Sequence, residues 1–163
     1  MREYKAEGSA PFREVTRQVL FDDPALASQL RYFEVAPGGH TTLERHEHAH
    51  AVVVQRGGGR CLIGDRIYEL AEHDLVHVPA LTWHQFRAAA DSPLGFLCMV
   101  NAVRDRPQLP SADDLAQLRA HPDIAAMSAC RSEKPRTRSG FSATMRPILA
   151  LVNAETFGFS RRA

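Results

Sequence analysis

The sequence predicts an all-β fold, a sandwich or barrel of short strands. Between Ser28 and Val100 about seven or eight β-forming runs follow one another, separated by Gly, Pro and Asp turn residues. No amphipathic helical pattern interrupts them. After Asn101 the composition changes to a Pro-containing linker and a helical pattern, which bounds the β region on its C-terminal side.

In chain order, residues 1–11 are polar and read as a loose arm or a short edge strand. Phe12 to Phe21 is mixed, with Val15, Val19 and Leu20 as anchors. Asp22-Asp23-Pro24 marks a turn. Ser28 to Val35 reads as a strand ended by Pro37-Gly38-Gly39, and a long strand is expected from about Leu43 to Gln55. Gly57-Gly58-Gly59 could cradle phosphate, but it lacks the G-x-x-x-x-G-K-[ST] pattern and reads instead as a tight connection to the strand Arg60–Ile63. Gly64-Asp65 turns that strand into Ile67–Leu70; Leu75–Pro79, Trp83–Arg87 and Leu94–Val100 complete the set. Arg104 to Pro110 is an extended linker. Ser111 is placed to cap a helical stretch to Met127 that Pro122 divides in two. The expected organisation is an arm at 1–27, a barrel at 28–103, and a helical extension with a basic tail at 104–163.

A chain of 163 residues suffices for one domain with a real core. Its net charge of +1 gives no steering toward nucleic acid or membrane. From Cys130 onward seven Lys or Arg face two Glu, but without interleaved aromatics, so the segment reads as solvent-facing rather than as a nucleic-acid binder. Residues 145–159 hold enough apolar side chains to dock on the barrel or on a second copy. Cys61, Cys98 and Cys130 form no CxxC pair, which argues against a zinc knuckle or a disulfide framework. No leader peptide or membrane-spanning run is seen, and a cytoplasmic location is expected.

The chemistry concentrates in Glu44-Arg45-His46-Glu47-His48-Ala49-His50. Read as a strand, it places Glu44, His46, His48 and His50 on one face. Burying such a face without partners costs several kcal/mol. Imidazole with carboxylate is the donor set of a divalent transition metal: Fe, Mn, Ni, Cu or Zn. Cys98 is either a small buried hydrophobe or a thiol facing the metal cavity. Arg31 and Arg60 lie on strands and could meet an anionic substrate; Phe33, Phe86, Trp83 and Met99 are candidate pocket walls. His40, His73, His77 and His121 read as surface or structural residues.

These stretches resemble the two motifs of a small single-domain cupin. The first motif has the form G-x5-H-x-H-x3-E-x6-G. Here it begins at Pro37-Gly38, with Glu44 and His46 in the histidine slots, His50 in the glutamate slot and Gly57 closing it. The second has the form G-x5-P-x-G-x2-H-x3-N. Here His73 stands in the first glycine slot, followed by Asp74, Pro79, Leu81 in the second glycine slot, His84 in the histidine slot and Ala88 at the closing position. An alternative frame places His46 and His48 in the histidine slots but puts Val52 where a carboxylate is needed. The resemblance covers about residues 28–100 and implies a double-stranded β-helix, a jelly-roll barrel, with a short helical C-terminal extension.

It further implies a mononuclear metal held by Glu44, His46, His50 and His84. Alternate strand residues stand nearly 7 Å apart, so His48 is expected to be left out of the shell, as a hydrogen-bond partner of a ligand, a replacement ligand, or the catalytic base and proton carrier. The activity expected from it is a dioxygenase acting on a small chelating organic molecule. The alternatives are a non-redox isomerase, cyclase or lyase, or a non-catalytic ligand-sensing or metal-binding module. The expected partners are a small-molecule substrate and a second copy in a homodimer, with no nucleic acid and no membrane.

Overall fold

The structure, a computed structural model, describes residues 2–3, 11–103, 105–129 and 146–149. Cys130, most of the basic tail and residues 150–159 lie outside the described residues. Among the described residues, ten strands and two helices follow in the order β1 (Arg2–Glu3), β2 (Arg13–Asp22), β3 (Ser28–His40), β4 (His50–Gly57), β5 (Gly59–Ile63), β6 (Arg66–Leu70), β7 (Asp74–Val78), β8 (His84–Ala88), β9 (Leu94–Asn101), α1 (Ala112–Arg119), α2 (Pro122–Ala129) and β10 (Arg146–Leu149).

The strands form one sheet in the order β10-β7-β4-β9-β3-β8-β5-β6, with β2 on the other side of β3 and β1 on β2. All described pairings are antiparallel except β10 with β7, which is parallel. The result is a nearly closed antiparallel jelly-roll barrel with a short helical extension, as the sequence predicts. The inner face follows the two-residue period of the strands. Val35, Val52, Val54, Val76, Val78 and Leu94 are fully buried in the core.

Two expectations are corrected. The stretch 44–49 is not a strand: Glu44 and Arg45 form isolated bridges only, and β4 begins at His50. β2 extends the sheet where the sequence suggests mixed structure. Eight of its residues pair with β3, and most of its side chains are exposed, so hydrophobic alternation does not reveal it.

The helical extension is built as its sequence implies. Ser111 caps α1 in a reciprocal capping box with Asp114, and Pro122 opens α2. Leu118, Ile124 and Met127 pack with Leu62 beneath the partly buried Trp83, Ile67 and Leu43. Among the described residues no helix is long and apolar enough to cross a membrane.

His73 and Leu81, which stand in the two glycine slots of the second motif, keep a left-handed backbone with φ of 70° and 54°. Their amides hold the turn geometry: His73 N–H donates to Val54 O at 2.8 Å and Leu81 N–H to His46 O at 2.7 Å. A side chain in that region costs roughly 1–2 kcal/mol, partly offset by glycine's larger unfolded-state entropy. The exposed His73→Gly change is therefore expected to raise stability by about 0.5–1 kcal/mol. An unchanged or lower urea midpoint would contradict this.

Candidate metal centre

The polar cluster adjoins the valine core, since Val78 on β7 stands directly opposite His50 on β4. Glu44 and His84 are brought together by the backbone: Glu44 N–H donates to His84 O at 3.2 Å, and His84 N–H donates to Glu44 O at 3.0 Å. Residues that exchange both bonds present their side chains on the same side of the sheet. Between Glu44 and β4 the chain is compressed into a loop, and that alters the spacing of the histidines. On a straight strand alternate residues stand nearly 7 Å apart. Here the His46 ring lies 4.1 Å from His48 and 4.3 Å from His50, with all three rings stacked nearly parallel. His84 meets His46 edge-on at 4.8 Å.

Donor atoms of Glu44, His46 and His84 lie within 4.8 Å of one another, as do those of His46, His48 and His50; His46 belongs to both groups. Donors about 2.1 Å from one ion are separated by at most about 4.2 Å, so small side-chain rotations close either group on a metal. The nitrogens facing away from the cluster are occupied in the manner of metal-ligand imidazoles. His84 Nδ1 lies 2.9 Å from Thr82 O, and His48 Nδ1 lies 2.9 Å from Asp105 Oδ1. A proton on each Nδ1 leaves Nε2 with its lone pair. His48 Nε2 is buried with no hydrogen-bond partner, an orphan that a metal would satisfy. The arrangement is a clustered His/Glu site capable of binding a divalent metal ion.

Burial first, then the neighbouring His84 and His48 rings, lower the His46 pKa to about 4. Its imidazole is therefore neutral near neutral pH and needs no deprotonation to ligate. Desolvation pushes the Asp105 carboxyl up, but the Glu47 amide and the His48 ring outweigh it and hold the group below its ordinary value.

Glu44, His46, His50 and His84 line a cavity of about 240 Å³, with Phe33, Phe86 and Phe96 as apolar wall. Its size and lining suit a small organic ligand. His48 is not part of that lining. Trp83 belongs instead to the packing under the helices, and Met99 is exposed. Cys98 lines the cavity as a thiol outside any disulfide, with Sγ 3.2 Å from His50 Nδ1. Arg31 lines it too, whereas Arg60 does not. Sequence reasoning does not single out Asp105, Arg17, Thr41 or Thr42, all of which line the cavity.

A nearly closed jelly roll with converging imidazoles and a carboxylate at one end defines a metal-binding barrel. The family model described as a cupin domain matches residues 31–100. A curated relative, 1-methylthio-D-xylulose 5-phosphate methylsulfurylase of Rhodospirillum rubrum, is 61% identical over 123 residues, 76% of this chain and 79% of that protein. The chain belongs to the cupin family. Two solved structures agree with this. A cupin-2 domain from Rhodospirillum rubrum is 59% identical, covers 77% of this chain and 84% of its own, and has a TM-score of 0.73. A cupin 2 conserved barrel domain protein from Rhodopseudomonas palustris is 60% identical, covers 75% and 84%, and has a TM-score of 0.71.

The methylsulfurylase relative overturns the dioxygenase and oxidoreductase expectation. A metal-bearing cupin barrel is common ground for both chemistries, and the donor set by itself favours neither. The non-redox alternative is the one this relative favours.

Proposed function

We propose that the chain is an enzyme of the methylsulfurylase type. It would remove the methylthio group from a 1-methylthio-pentulose 5-phosphate without O2. The observation that carries this reading is the Cys98 thiol, held beside His50 in the same cavity as the histidine and glutamate donors. The 61% identity to the methylsulfurylase supports it.

Glu44, His46, His50 and His84 would hold a divalent metal, which would draw electron density from the ketone and hydroxyl oxygens of the substrate. An imidazole that gives one nitrogen to a metal keeps a proton on the other. His50 Nδ1–H would then donate to Cys98 Sγ and favour its thiolate. The thiolate attacks the methylthio sulfur, and a sulfur–sulfur bond forms as the carbon–sulfur bond breaks. The released electron pair leaves an enolate, which takes up a proton to give the 1-deoxy ketose. The enzyme is left as a methyl disulfide. A second thiol from solution releases the methylthio group as a mixed disulfide and restores Cys98.

His48 lies outside the cavity lining and is the proposed proton carrier by way of Asp105, which pairs with it at 2.9 Å and stands at the cavity wall. We further propose a cytoplasmic homodimer, supported by the exposed Val19, Leu20 and Phe21 on β2.

Metal-loaded protein incubated anaerobically with 1-methylthio-D-xylulose 5-phosphate and a small thiol is expected to yield the 1-deoxy ketose phosphate and the methyl mixed disulfide. The rate is expected to be unchanged on admitting air. Turnover that requires O2 would sink the proposal.

A further inference from the structure

The geometry points to Arg17 and Arg31 as the phosphate-binding end of the cavity, a subsite for a phosphomonoester dianion that sets substrate orientation. This deepens the proposed function and rests on it for the identity of the sugar.

Both arginines line the same cavity as the metal donors. Strand register explains how they enter it. Arg31 on β3 stands directly opposite Cys98 on β9, and Arg17 on β2 stands directly opposite Phe33 on β3. Directly opposite residues share a face, so Arg31 points inward with Cys98, and Arg17 with Phe33. In turn, Cys98 is opposite Val52 on β4, one inward position beyond His50. From the β4 row that carries His50 to Arg31 is two strand spacings, about 10 Å of sheet. Metal donors, thiol and guanidinium therefore form a line along the inner wall, in the order a phosphorylated ketose presents its own groups: chelating oxygens and the methylthio carbon near one end, phosphate at the other.

Both cations are set up for an anion. Arg31 is only 6% exposed, and its Nε donates to Gln29 Oε1, while Gln29 Nε2 donates to Asp22 Oδ2 at 2.6 Å. That relay fixes the plane of the guanidinium, and a fixed fork matches phosphate oxygens in pairs. Arg17 is half-buried, and among the described residues its guanidinium forms no side-chain hydrogen bond or ion pair. A cation in a cavity wall that forms no ion pair with the Glu44 and Asp105 carboxylates of the same lining favours an anionic ligand. Thr42, 1% exposed and also lining the cavity, has a hydroxyl with no partner and adds an unsatisfied polar group to the same space. Phe33, Phe86 and Phe96 form the apolar wall beside these groups, and an apolar surround strengthens charge-assisted contacts.

The test uses the metal-loaded full chain and two probes, D-xylulose 5-phosphate and D-xylulose, titrated calorimetrically. The wild type is expected to prefer the phosphorylated probe by about 100-fold, the equivalent of one or two charge-assisted hydrogen bonds. Arg17→Gln is expected to cut that preference by about tenfold or more while leaving the affinity for D-xylulose unchanged. With 1-methylthio-D-xylulose 5-phosphate the same variant is expected to raise KM far more than it lowers kcat. Arg31 is buried, so its glutamine variant could fail to fold. Arg31→Lys keeps the charge but loses the fork, and is expected to show a partial loss of the preference. A wild type that binds both probes equally, or an Arg17→Gln variant with the preference intact, overturns the subsite. If the preference is present and lost in the variants while the methylthio sugar is not turned over, the subsite stands and the proposed reaction falls. If turnover occurs but the variants keep the preference, the reaction stands and the subsite falls.

Discussion

Replacing Cys98 with serine is expected to lower turnover of the methylthio sugar phosphate by about 10³-fold or more, with metal content unchanged. Cys98 belongs to neither group of metal donors, so its loss leaves the centre intact. A serine hydroxyl is isosteric enough to fill the buried position but does not ionise near neutral pH and does not accept the methylthio group. The thiol needs both proximity and ionisation. Proximity comes from β9, which places it at the cavity wall; in the proposed mechanism its thiolate would be favoured by His50, whose Nδ1 lies 3.2 Å from the sulfur. Wild-type protein given substrate without a second thiol is expected to accumulate a chain heavier by one methylthio group in place of one hydrogen, located on the Cys98 peptide by mass spectrometry. A serine variant that turns over at the wild-type rate would remove the thiol from the reaction and take the proposed mechanism with it.

Replacing His46 with alanine is expected to empty the metal centre. His46 is the one residue common to both donor groups, and its ring is the middle of the contact set with His48, His50 and His84. Removing it withdraws a donor from either arrangement, so no choice between the two rescues binding. The loss is expected to exceed the roughly 10–100-fold typical of removing a residue that only orients a ligand. Asp105→Asn provides a comparison in the same protein, because Asp105 belongs to neither donor group and pairs with His48, a member of one of them. Metal content after dialysis, measured on untagged protein with the fold checked by circular dichroism, reads both variants. Equal metal retention in wild type and His46→Ala would show that the cluster is not the binding site.

Much of the barrel is legible in the sequence because its inner face obeys a simple period. Strands β5 to β9 fall within a residue or two of the expected runs, since β-branched and apolar residues alternate there between tight turns. β2 escapes that logic: Arg13, Glu14 and the exposed Leu20 and Phe21 give no alternation, and its pairing to β3 is a tertiary fact. The donor cluster is legible as residue types at close spacing, but not as geometry. The two-residue spacing from Glu44 to His50 suggests a strand, whereas the ring separations of 4.1 and 4.3 Å require the loop that the chain adopts. Asp105 and Arg17 carry no local signal at all. One sits in a charged linker, the other on a solvent-rich strand, and only folding brings them to the cavity. The reaction type is the least legible part, because a histidine–carboxylate shell serves oxygen chemistry and carbon–sulfur cleavage equally well.

The segment after β9 lies across the histidine loop. Arg45 and Gln108 exchange backbone hydrogen bonds at 3.1 and 2.8 Å, the Arg45 side chain adds a third, and Asp105 accepts from the Glu47 amide. The Arg45 guanidinium also sits over the Trp83 ring at 4.4 Å, beside the packing that anchors both helices. A boundary drawn at residue 103 thus cuts through the fastening of the loop that carries the imidazoles. Binding of an ion at this site would be thermodynamically linked to the seating of the downstream helices, each tightening the other by the same free energy. The C-terminal segment is in this sense a tether, fastened to the histidine loop from some sixty residues away in the chain.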